Sequence, residues 1–187
     1  MNDDLVASLD ILRKGGIILY PTDTIWGIGC DATNPEAISR IYRIKQRQDE
    51  KSLLILMDDV ARLYEYVTEV PEMALNLIEI TEKPLTIIYP GAMHLAANLI
   101  TGDGSIGIRI VRDDFCRQLI RKFGKPLVST SANVSGMPWP PFFHDINKSI
   151  VKSVDYVVKW RQDDTRRGKP SGIIKVGVQG EVKVIRE

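Results

Sequence analysis

Apolar residues fall in short blocks along this chain, separated by polar, glycine and proline punctuation. Leu5, Leu9 and Leu12 recur at helical spacing behind Asn2-Asp3-Asp4, whose short side chains suit the capping of free amides, and Gly15-Gly16 marks the stop. Residues 16–20 read as a short buried strand that Pro21 ends, and residues 28–32 as a second. Thr33-Asn34-Pro35-Glu36 starts a helix with Ile38, Ile41, Tyr42 and Lys45 on one face. A strand at 53–57 follows, then a helix opened by Asp58-Asp59 and another from Pro71-Glu72 through Ile80. Strands are predicted at 85–89 and 105–111. Asp113-Asp114 caps a helix ending at Gly124, and the strand at 126–130 runs into Ser131-Ala132-Asn133. A Pro- and Gly-rich loop at 135–141, a short helix at 146–151 and strands at 156–158, 172–176 and 182–185 complete the chain. There is no internal repeat. Strands and helices alternate, yet several strands are joined by loops alone. That predicts an α/β fold with a twisted mixed sheet flanked by helices.

Composition narrows the picture. At 187 residues, with 44% hydrophobic and 26% charged positions, the chain suits one globular domain over 1–187. Lys and Arg number 25 against 24 Asp and Glu, so total charge (+1) gives no reason to expect a histone-like or membrane-hugging protein. Two cysteines, Cys30 and Cys116, stand far apart, and there are only two histidines, which disfavours a structural zinc site and fits a reducing cytoplasm. Neither a secretory leader nor an apolar run long enough for a membrane span is visible.

Four polar clusters stand at strand ends or beyond them, where ligands bind in open α/β sheets. Pro21-Thr22-Asp23-Thr24 offers two hydroxyls and a carboxylate, or simply a hydrogen-bonded turn. Lys45, Arg47 and Lys51 suit a polyphosphate, or a solvated helix end facing its own dipole. Ser129-Thr130-Ser131-Ala132-Asn133, with Ser135-Gly136, combines hydroxyls, an amide and small side chains that let a ligand approach the backbone, or is loop filler. Arg109, inside an otherwise apolar strand, needs an anionic partner or a route to solvent. The chain lacks a P-loop and a G-x-S-x-G elbow. His94 and His144 have no evident nucleophile to serve, and both cysteines read as core. Chemistry here would come from positioning and charge stabilisation of reactants that carry their own reactive groups.

Taken together, the clusters resemble the YrdC-type L-threonylcarbamoyladenylate synthase family in its single-domain form. The matching stretches are Tyr20-Pro-Thr-Asp-Thr24 with Gly27-Ile-Gly-Cys-Asp31, Lys45-x-Arg47 with Lys51, Gly107-Ile-Arg109, residues 126–136, and Ser171 before a strand ending at Arg186. The resemblance implies a concave, positively charged cavity. It implies condensation of L-threonine, bicarbonate or CO2, and ATP into threonylcarbamoyl-AMP and pyrophosphate, with Mg2+ on the phosphates. The adenylate would pass to threonylcarbamoyl-transferase proteins that modify tRNA to t6A at position 37. By the same analogy Thr24, Arg109, Ser129 and Ser171 hold threonine. Arg47, Lys51, Ser131, Asn133 and Arg186 hold ATP, with Lys45 beside them and Ser105 touching nucleotide. Lys45, Arg47 and Lys51 offset repulsion between carbamate and polyphosphate, and no resident metal is implied. Trp26, Ser52, Leu56 and Gly172 depart from the usual Tyr, Pro, His and Thr of the family, and Leu56 removes a polar contact near substrate. The alternative is a relative of the same fold that binds nucleotide, tRNA or double-stranded RNA without this activity or with another substrate. The intact Pro-Thr-Asp-Thr, Lys-x-Arg and Ser-x-Asn segments favour the synthase. The sequence leaves open whether residues 137–143 form a lid.

Overall fold

The local signals become elements in a computed structural model that describes residues 1–46 and 53–187. In chain order these are α1 (Asn2–Arg13), β1 (Ile18–Tyr20), β2 (Gly27–Gly29), α2 (Pro35–Ile44) and β3 (Leu54–Met57). Then come a 3-10 turn (Val60–Glu65), α3 (Glu72–Ile80), β4 (Leu85–Tyr89), β5 (Ile106–Ile110), α4 (Asp114–Phe123) and β6 (Leu127–Ser131). A second 3-10 turn (Phe143–Asp145), α5 (Lys148–Ser153), β7 (Tyr156–Val157), β8 (Gly172–Val176) and β9 (Val182–Arg186) finish the chain.

Several caps are those the sequence predicts. The Asn34 side chain accepts from Glu36 and Ala37 N–H with Pro35 in the first turn. Asp113 accepts from Cys116 N–H, and Gly124 ends α4 in the left-handed region at φ +79°. Two expectations change. Asp58-Asp59 opens a helix as expected, with Asp59 as its cap, but of the 3-10 kind. The acidic pair at the N-terminus does not cap α1, which has no side-chain cap. Asp4 is instead buried and accepts from Tyr156 Oη (2.7 Å), Lys159 N–H (2.8 Å) and Trp160 N–H (3.0 Å), tying α1 to the segment after β7.

Among the described residues, nine strands form one mixed sheet in the order β7-β1-β2-β6-β3-β5-β4-β8-β9. The β1–β7, β3–β5 and β4–β8 pairs are parallel and the rest antiparallel. Helices α1 and α4 pack on each other against β1, β7 and β3. The core gathers Leu5, Leu12, Ile17, Leu19, Ile38, Ile41, Phe115 and Leu119. Tyr20 is fully buried, donates its phenol to Val128 O at 3.3 Å, and has its pKa pushed up by burial. Its ring lies over Gly29, where an added Cβ would stand 2.7 Å from it and 2.4 Å from Val128 O. No helix among the described residues is long and apolar enough to cross a membrane.

Register fixes which side chains share a face, since alternate residues point the same way. Gly27 pairs with Ser131, Ser129 with Leu54, and Leu54 with Gly107. Ile88 pairs with Gly107, Thr86 with Ile173, and Ile173 with Arg186. One face of the sheet therefore carries Gly27, Ser129, Ser131, Leu54, Arg109, Thr86, Ile173 and Arg186.

Candidate active site

A cleft of about 360 Å³ lies on that face. Its described lining includes Thr24, Lys45, Arg109, Ser129, Ser131, Asn133, Ser171 and Arg186, residues from six separate stretches of sequence. Three cations and no carboxylate line it among the described residues, so its wall favours anions.

At one end the turn after β1 is internally braced. Thr22 Oγ1 lies 2.9 Å from Thr24 Oγ1, accepts from Thr24 N–H and donates to Ile25 O. Arg109 on β5 is 4% exposed, and its Nη2 stands 3.1 Å from Asp23 Oδ1. Asp23 Oδ2 also accepts from Arg112 N–H. Arg109 Nε has no hydrogen-bond partner among the described residues. A buried, unpaired N–H costs about 1–3 kcal/mol, a deficit that an acceptor in the cleft would remove. Ser171 Oγ lies 2.8 Å from Thr86 Oγ1, and its carbonyl accepts from Arg186 Nε (3.1 Å) and Nη2 (2.8 Å). Burial, and then the charge of Arg109, pull the Arg186 pKa down. Two like charges close enough to influence each other favour a shared anion.

At the other end, Lys45 follows α2 and is almost fully buried. Its Nζ donates to Ser131 O (2.6 Å) and Asn133 O (2.8 Å), with Asn133 Oδ1 at 3.3 Å. Its ammonium thus braces the end of β6, while Ser135 N–H donates to Lys45 O. Ser131 Oγ donates to Asn133 Oδ1, and Asn133 Nδ2 donates to Met137 O, so the loop is cross-linked to the site.

Not every expected residue arrives here. Ser105 is absent from the cleft wall; its hydroxyl bonds to Asp103 (2.6 Å) and Thr101 (2.7 Å), closing the turn before β5. Leu56 pairs with Arg109 but is wholly buried and does not line the cleft. Gly172 lies in β8 beside the lining residues Ser171 and Ile173. Trp26 does line the cleft, buried against Phe143 with ring centroids 4.8 Å apart. Arg47, Lys51 and Ser52 lie outside the described residues.

The sequence offers the Asp23 carboxylate but not its partner, Arg109, and other contributors escaped sequence reasoning. Thr86 supports Ser171. Arg161, itself at φ +66°, donates to Asp113 Oδ2 (2.9 Å) and Thr22 O (3.3 Å), tying the β1–β2 turn to the start of α4. Only the Pro-Thr-Asp-Thr spacing hinted at any of these, because the partners lie far apart in sequence.

The wall holds no cysteine, histidine or carboxylate among the described residues. Burial pushes the thiols of Cys30 and Cys116 up, which keeps them protonated and inert. No group of three or more His, Cys, Asp or Glu among the described residues could hold a metal ion. The arrangement can bind, orient and neutralise anions.

Known proteins carry the same architecture. The Sua5/YciO/YrdC family model, described as "Telomere recombination", matches residues 10–187. A threonylcarbamoyl-AMP synthase of Vibrio parahaemolyticus is 32% identical over 175 residues, spanning 91% of this chain and 93% of its own length. The crystal structure of E. coli YciO has a TM-score of 0.85 at 26% identity, covering 100% of this chain and 90% of that one. The H234A/Y235A form of P. abyssi Sua5 shares the fold with a TM-score of 0.87 at 24% identity over 97% of this chain, which spans 52% of that protein. With residues 10–187 matched by the family model and a relative 32% identical over 91% of its length, this chain belongs to the Sua5/YciO/YrdC family.

Proposed function

We propose that the protein is an L-threonylcarbamoyladenylate synthase. It joins L-threonine, bicarbonate or CO2, and ATP into threonylcarbamoyl-AMP and pyrophosphate for t6A modification of tRNA in the cytoplasm. The observation that carries this reading is the meeting of Thr24, Arg109, Ser129 and Ser171 with Ser131, Asn133 and Arg186 in one anion-favouring cleft. The Vibrio relative named for this activity, alignable over 91% of the chain, supports it.

Arg109 pairs with the threonine carboxylate, its Nε–H gaining the acceptor it lacks. Thr24, Ser129 and Ser171 orient the amine and hydroxyl. The amine takes up CO2 and loses a proton to give a carbamate. A carbamate oxygen then attacks the α-phosphorus, forming the O–P bond as the bond to the β-phosphate oxygen breaks and pyrophosphate leaves. Arg186, with Arg47 and Lys51, offsets the repulsion between the two anions. Lys45 acts by holding Ser131 and Asn133 in place. With hydroxyls, an amide and no carboxylate on the described wall, the donor set suits Mg2+ carried on phosphate oxygens, which it would help neutralise.

The test is pyrophosphate release with each substrate omitted in turn. Release should require ATP, L-threonine and bicarbonate together. ATP turnover indifferent to threonine would refute the assignment.

A further inference from the structure

Trp139 stands on the lip of the cleft, on the same wall as Asn133, Ser135 and Gly136. Trp139 is 46% exposed, and no aromatic ring among the described residues stacks on it. Trp26, the other tryptophan of the wall, is 7% exposed and already packed on Phe143. The segment bearing Trp139 is pinned at both ends. Asn133 Nδ2 holds Met137 O on one side, and Phe143 packs on Trp26 on the other. Between these anchors, Trp139 sits between Pro138 and the Pro140-Pro141 pair, and Pro140 is buried. Proline fixes φ, so little backbone entropy remains to be lost when a ligand settles there. A large apolar ring held open at the edge of a polar, cationic cleft matches a molecule with a charged end and a flat end.

We propose that Trp139 is the stacking platform for the purine ring of the nucleotide, so that base stacking contributes to nucleotide choice in this protein. The proposal rests on reading the cleft as a nucleotide site. Purines offer more stacking area than pyrimidines, and base–aromatic stacking is sequence-tolerant because every base presents a π face. Trp139 thus favours purine over pyrimidine triphosphates and contributes nothing to binding of the bare phosphate chain.

Equilibrium binding of Mg-ATP, Mg-CTP and Mg-tripolyphosphate to wild type, Trp139→Ala and Trp139→Phe tests this. Trp139→Ala should weaken ATP about tenfold or more, narrow the gap between ATP and CTP, and leave tripolyphosphate unchanged. Trp139→Phe should recover most of the ATP affinity. Equal loss of ATP and tripolyphosphate in Trp139→Ala would overturn the proposal, because it would mean that the loop, not the ring, matters; so would no loss of either. Binding is read without turnover. A wild type that binds ATP but shows no threonine-dependent pyrophosphate release defeats the catalytic reading while the binding series still decides Trp139. A wild type that binds no ATP defeats both.

Discussion

Arg109 and Arg186 enter the same cleft from opposite kinds of strand. Arg109 comes from β5, inside the sheet, and meets Asp23, a carboxylate brought from the β1–β2 turn. Arg186 comes from β9, an exposed edge strand, and meets only the carbonyl of Ser171 among its described hydrogen bonds. A charge taken out of water needs a counter-charge, whereas one at an edge can keep part of its hydration. The lesson is a division of labour. The interior arginine is largely neutralised and geometrically fixed, which suits orientation of a small substrate. The edge arginine retains its field, which suits attraction of a polyanion.

The largest effect expected from this contrast is at Arg109. Arg109→Ala strands Asp23 in a nearly buried site and should cost about 3–5 kcal/mol in chemical denaturation. Arg109→Lys keeps the charge but not the fork. It should fold, raise KM for threonine at least tenfold and leave ATP affinity near wild type; equal loss of both substrates would remove the distinction. Next comes Arg186→Ala, expected to change stability by about 0.5 kcal/mol or less, as exposed surface changes do. Its ATP affinity should fall roughly tenfold, the scale of one lost hydrogen bond to a charged group. Destabilisation on the scale of Arg109→Ala would break the comparison. The smallest effect sharpens it with a half-exposed pair. Arg40 Nη2 meets Asp155 Oδ1 at 2.9 Å, and hydrogen bonding from Arg40 holds the Asp155 carboxyl below its ordinary range. A lowered carboxyl pKa stabilises the fold above the unfolded value, near 3.9, and that contribution disappears as pH falls through the folded value. Asp155→Asn should therefore cost about 0.5 kcal/mol at neutral pH. The gap to wild type should close below about pH 4 in pH-dependent denaturation; a gap that widens in acid would reverse the sign.

The sequence was informative wherever a signal is local. Asn34 with Pro35, Asp113 with Gly124, and the short apolar runs mark element ends because capping and backbone restriction act within a few residues. The Pro-Thr-Asp-Thr and Ser-x-Asn clusters were legible because polar residues crowd directly after buried strands. Local signals misled where a side chain had a distant use. Asp4 looked like a cap for its own helix but serves Lys159 and Trp160. Lys45 stands in a basic cluster at the end of its own helix, and its ammonium reaches across to the carbonyls of Ser131 and Asn133.

The order of residues alone determined the helices, the strands, the polar clusters and, through their combination, the family. Which clusters share a face was decided only by the strand pairings that set β6 between β2 and β3 and carry β8 and β9 to the far edge. Those pairings also chose the partners of the buried charges, Asp23 for Arg109 and two carbonyls for Lys45. The physical reason is range. Capping and periodicity are written within a turn or two of chain, whereas the neutralisation of a buried charge depends on whatever group the sheet register brings beside it.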